Sequence, residues 1–175
     1  KDPTNPRRVS RQADTVFSML ALQNILEQGE APPVATLSFA DYLPEANRLF
    51  SGGHPKWSPL DREQGAVTAA ANAVMVGTGP KAFLHVTDFV QQNSTVSLWY
   101  KDNKQETVDV ALQQAAAAVE SIGVDHEAFT VRLGSGTIAL QHSINDTVDD
   151  YQWVILGLLN LVILATCSYA YRSVL

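Results

Sequence analysis

Four histidines, one cysteine and a few loop carboxylates are the residues of this chain whose types invite chemistry. His54, His85, His126 and His142 would need HxH or HxxxH spacing, or cysteine partners, to make a zinc site. No two of them stand that way, and Cys167 lies inside an apolar run. His126-Glu127 lacks the second ligand that a zinc-protease helix requires. Ser135 sits in Gly134-Ser135-Gly136, which is not the GxSxG nucleophile elbow and reads as a turn built from small residues. Gly77-Thr78-Gly79-Pro80 has no following Lys-Ser/Thr and so is no phosphate loop. Asp88 and Asp102 could share acid–base work, but carboxylates near loops are ordinarily solvated. Asn93-Ser94-Thr95 and Asn145-Asp146-Thr147 fit the glycosylation pattern, which matters only in a eukaryotic secretory setting. No catalytic, cofactor-binding or metal-ligating residue is assigned, no cofactor is implied, and an enzyme is not expected.

The composition narrows the partners. The chain has 175 residues and 19.0 kDa, room for one domain and an appendage. Its 12 basic and 18 acidic residues give a net charge of −6, which argues against nucleic acid, since displacing phosphate counterions takes a clustered basic face. One cysteine excludes an internal disulfide framework. Phe17, Met19 and Leu20 read as core. Trp57, Phe83, Phe89 and Trp99 are the aromatics best placed to line an apolar cleft, beside a Pro/Gly-rich stretch. Ordinary packing explains them more simply, and no substrate-path residue is assigned.

The apolar residues are concentrated at one end. Val154 to Ala170 is seventeen residues without a formal charge, at the lower limit of about 17 for a membrane span. Tyr151 and Trp153 flank it on one side, Tyr169 and Tyr171 on the other, as interfacial rings would. Asp146, Asp149 and Asp150 precede the run and Arg172 follows it, so the arginine end is expected to be cytoplasmic and the body outside. A buried hairpin helix of a soluble protein is the alternative. Asn160, at mid-span, is costly in lipid and is expected to face other helices, or else to be a tolerated polar residue. The chain opens on Lys1 without a methionine and closes on Arg172-Ser173-Val174-Leu175, where apolar character resumes, so a piece of a longer membrane protein is expected. A body free of cysteine suits an extracytoplasmic location.

Ahead of the span, helices and strands alternate. Met19, Leu22, Ile25 and Leu26 place a helix over 8–28, stopped at Gly29. Residues 34–39 read as a strand, 41–50 as a brief helix and 60–76 as an alanine-rich one. Residues 96–100 alternate as a strand. Val108, Leu112, Ala115, Val119 and Ile122 form a helical stripe ended by Gly123. Phe129, Val131 and Leu133 alternate as a last strand, and from Thr137 one helix runs on into the membrane. One strand placed before Lys1 would turn this order into βαβ-βαβ, an α+β ferredoxin-like (split βαβ) sandwich. The absent first strand belongs at the middle of that sheet, which leaves unpaired edges beside the gap.

A ferredoxin-like extracytoplasmic domain running into a membrane helix is similar to the porter domain of resistance-nodulation-division (RND) transporters. The likeness is to the branch of hydrophobe/amphiphile exporters related to the mycobacterial lipid exporters. Lys1-Asp2-Pro3 with Leu22-Gln23-Asn24-Ile25-Leu26-Glu27 resembles the family's opening, and 36–43, 47–50 and Gly53-His54-Pro55 resemble its helix and loop. Leu98-Trp99-Tyr100-Lys101-Asp102 looks like its third-strand end. Arg132 to Gln141 looks like the opening of its membrane helix, and Tyr171-Arg172-Ser173 like its cytoplasmic close. On that likeness residues 1–136 are an extracytoplasmic porter domain with a helical insert at about 40–90, more like the family's second periplasmic loop than its first. Residues 137–175 then continue into a transmembrane span at about 153–171.

The resemblance implies proton-driven export of hydrophobic or amphiphilic substrates from the bacterial inner membrane. Implied partners are the lipid bilayer, the remaining membrane helices and porter domain of the same transporter, and a homo-oligomer. The family's proton-relay carboxylates lie in other helices, so no residue here inherits that role. A single-pass, membrane-anchored sensor or binding domain is the rival reading, since ferredoxin-like folds serve both.

Overall fold

The computed structural model describes residues 8–134 and 136–171. Lys1-Asp2-Pro3 of the family-like opening, Ser135 and the closing residues 172–175 therefore lie outside the described residues. The chain forms two compact units, Lys1–Leu133 and Gly134–Leu175.

The first unit is helical with a small sheet. A 3-10 turn, Val9–Arg11, precedes α1 (Ala13–Glu27); β1 (Ala35–Leu37) and a second 3-10 turn (Phe39–Asp41) lead into α2 (Tyr42–Phe50). Then come α3 (Gln64–Thr78), β2 (Ser97–Trp99) and α4 (Gln105–Ile122). β1 and β2 pair antiparallel, with Ala35 opposite Trp99 and Leu37 opposite Ser97.

The first helix begins five residues later than its apolar stripe predicts. Gln12 adopts an extended conformation, ψ 136°, and breaks the chain between the 3-10 turn and α1. Tertiary bonds hold that break: the Ser10 N–H donates to the Gln91 carbonyl, and the Ser10 hydroxyl meets Thr87 Oγ1 at 2.9 Å and Ser94 Oγ at 2.6 Å. A buried Ser10 is thus fully engaged, and its contacts outweigh the local helical preference. At the far end of α3, Gly79 takes φ 81°, a left-handed conformation that favours glycine, and Pro80 follows it.

The core has two parts. Val16 and Met19 of α1, Phe39, Leu43 of α2, Val67, Val74 and Met75 of α3, Phe83 and Val86 form one buried cluster. Small residues (Ala46, Ala70, Ala71) are buried in α2 and α3, the two helices that pack most extensively. On the other side α4 packs along α1, burying Val108, Ala111, Ala118 and Val119.

The strand expected over 129–133 does not form. Asp125 instead bridges Thr130, and the Val131 N–H donates to the Val124 carbonyl at 2.8 Å, so the segment closes on itself. Alternating apolar residues make a strand only beside a partner, and among the described residues β1 and β2 pair only with each other. The architecture is therefore mixed: helices, a two-stranded antiparallel sheet and a long apolar C-terminal helix.

That helix, α5 (Thr137–Tyr171), has 35 residues. Its stretch Leu140–Tyr171 is the one helix among the described residues long and apolar enough to cross a membrane. From Tyr151 to Tyr171 it carries no formal charge over 21 residues, which at a rise of about 1.5 Å per residue matches a hydrocarbon core of about 30 Å. Asn160 donates its side-chain amide to the Leu156 carbonyl at 2.9 Å, and Thr166 donates to Val162 at 2.5 Å. The helix thereby satisfies part of its own side-chain polarity.

Candidate functional site

The histidines are dispersed. His54 Nδ1 accepts from the Lys56 N–H in a tight turn, at 3.2 Å. His85 meets the Tyr42 hydroxyl at 3.2 Å and stacks on Phe83. His126 bonds to the Gly123 carbonyl at 3.0 Å and stacks on Phe129, ring centres 4.2 Å apart. His142 pairs with Asp146 one turn along α5, at 3.3 Å. Among the described residues no three His, Cys, Asp or Glu come together as a metal-ligand set.

The two loop carboxylates are each taken up by their own turn. Asp88 Oδ1 accepts from the N–H groups of Gln92 and Asn93, and Oδ2 accepts from the Asn93 amide at 2.9 Å. Burial alone would raise the Asp88 carboxyl; the hydrogen bonds from Asn93, Gln92 and Gln91 overcome it and hold the group below the usual range. The same turn carries Gln91 at φ 64° and engages Asn93, the first asparagine of a glycosylation pattern. Asp102 accepts from Thr107 Oγ1 at 2.7 Å and the Lys104 N–H, which together lower its pKa. Gly77 and Gly79 serve as the last turn and end of α3.

The four aromatics do not converge. Phe83 is core, set edge-on to Phe39 at 6.0 Å and Tyr42 at 5.0 Å. Trp57, Phe89 and Trp99 are exposed, on a 3-10 turn, a loop and β2 respectively. Trp57 carries the Lys56 ammonium over its ring at 4.9 Å.

One shallow site, open to solvent, was missed by the sequence reading. Arg8, Arg11 and Gln12, at the entry to α1, face Gln64, Thr68 and Asn72 of α3 across a cleft of about 400 Å³. Gln64 stitches the walls together: its Oε1 accepts from the Ala13 N–H at 2.8 Å, and its amide donates to the Arg11 carbonyl at 2.8 Å and to Thr68 at 2.9 Å. The Arg11 guanidinium donates to Asn72 Oδ1, while its Nε is enclosed without a partner. Burial and the neighbouring Arg8 both lower the Arg11 pKa. The spacing Gln64, Thr68, Asn72 is i, i+4, i+8 and could have marked a polar helix face. That Arg8 and Arg11 lie opposite it follows only from the break at Gln12.

Compared with known proteins, the chain matches no family model, no curated protein and no solved structure.

Proposed function

We propose that the chain is a segment of a proton-driven membrane exporter of hydrophobic or amphiphilic substrates, of the RND type. The first unit is a porter domain forming part of the substrate path, and α5 is its adjoining membrane helix. The observation that carries this reading is the arrangement of four elements. β1 and β2 pair antiparallel across a long helical insert while α1 and α4 pack together. In a split βαβ frame these are the second and third strands and the two helices, and the first strand lies between the third and the fourth. A strand supplied from outside the 175 residues would pair with the edge of β2 that is unpaired among the described residues, and give 129–133 the neighbour it needs. The motifs over 22–55, 98–102 and 132–141 support the family. Tyr151 and Trp153 before the apolar run and Tyr169 and Tyr171 at its far end, with Arg172 beyond, support a span in the bacterial inner membrane with the body periplasmic. The remaining helices of the transporter, and other copies of it, are its partners in this reading.

The continuity of α5 over 35 residues favours one rival, a single-pass sensor that transmits motion along the helix. An immunoblot of the native polypeptide with antibodies to the first unit separates the two. A band several-fold heavier than 19.0 kDa is expected, and a band near 19.0 kDa would replace the exporter with the sensor.

A further inference from the structure

We propose that the cleft between the entry to α1 and the face of α3 is a binding site for a phosphate group, held by Arg8 and Arg11. Among the described residues the cleft is lined by two arginines, two glutamines, a threonine and an asparagine, with no carboxylate and no apolar side chain. The chain carries 18 acidic residues against 12 basic ones, yet among the described residues neither arginine has a carboxylate partner. Arg48, by contrast, is paired with Glu45. Asp14 stands in the first turn of α1 but is not part of the lining. An anion seated here would accept from the guanidinium forks, which match phosphate oxygens in geometry, and would relieve the repulsion between the two cations. Thr68 Oγ1, already accepting from Gln64, keeps its own proton to donate. Two positive charges match the charge of about −1.5 to −2 that a phosphate monoester carries near neutral pH. The phosphate is either free or the headgroup of an amphiphile. The inference uses only the cleft and does not depend on the export reading.

The test is calorimetric titration of the full chain in a neutral detergent, first with inorganic phosphate and then with short-chain phosphatidic acid below its micelle concentration. Binding is expected to weaken by about tenfold or more in Arg8→Gln and in Arg11→Gln, and to fall with added salt, as for the loss of one charge-assisted contact. Arg8 is exposed, so its replacement leaves the fold intact and decides the matter if Arg11→Gln unfolds. Arg62→Gln, a cation over the Phe17 ring and outside the cleft, is expected to bind as the unaltered protein does. Binding of phosphate itself identifies a free anion, and binding of phosphatidic acid alone identifies a headgroup. Binding of neither, or binding unchanged in both cleft variants, overturns the proposal.

Discussion

Two side chains show how much of this fold rests on polar groups placed one at a time. Gln23 is buried in the face of α1 that the apolar stripe assigns to core. Its amide donates to Thr36 at 3.1 Å and Asp41 at 2.9 Å, while its carbonyl accepts from Ser38 at 2.8 Å. Ser38 and Asp41 form a capping box that starts the turn into α2, so one glutamine joins α1, β1 and that turn. Gln23→Leu keeps the volume but removes the three bonds that tie α1 to Thr36, Ser38 and Asp41, and is expected to cost about 2 kcal/mol in a denaturant titration. A variant as stable as the parent would show the network to be dispensable. Asp88 adds a pH dependence of its own. Its folded pKa is depressed, so its carboxylate stabilises the turn above the ordinary aspartate range of about 4, and that contribution is lost as pH falls through the folded value. Asp88→Asn is therefore expected to lower Tm at neutral pH, with the gap from the parent closing on acidification. A gap that stays constant with pH would mean that the charge of Asp88 is not what holds the turn.

At the scale of elements, the sequence told most where a helix had to bury a stripe, and least where a tertiary partner decided the outcome. Helices appear near 42–50, 64–78 and 105–122, as the apolar spacing and the glycine stops require. Sequence alone could not see that Ser10 would be drawn to Thr87 and Ser94, which delays α1; it did place a gap beside the last strand, but not that 129–133 would then close on 124–125 instead of staying extended. The arginine cleft stayed hidden for the same reason: its walls are 53 residues apart where Gln64 meets Arg11. Gly29 was read correctly as the end of α1, but for a different physical cause. A Cβ there would stand 1.7 Å from Gln114 Nε2 of α4. Gln114 fills that space, donating to the Leu26 carbonyl at 2.8 Å and accepting from the Ala31 N–H at 3.1 Å. Gly29→Ala must push that amide aside and is expected to cost about 1–2 kcal/mol, as must Gln114→Ala by removing it. The double variant should cost clearly less than their sum, because both singles lose the same two bonds. Additive losses in thermal melts would mean that the two positions act independently.

For the whole molecule, the chain divides its labour between two units. One buries a mixed helical core and, among the described residues, leaves the outer edges of its two-stranded sheet unpaired; the other is a helix with 21 uncharged residues, suited to lipid rather than to a core. The exporter reading joins these facts: a strand from elsewhere in the transporter covers the edge, and other membrane helices flank α5. The proton-relay groups are expected in those other helices, so the porter domain would act by moving between access states rather than by chemistry of its own. The measurement that tests this most directly is the efflux of an amphiphilic fluorescent dye from cells making the native protein, compared with cells in which its gene is disrupted. The account predicts faster efflux with the protein, abolished by a protonophore. Equal efflux with and without the protein, or efflux untouched by collapse of the proton gradient, would contradict it.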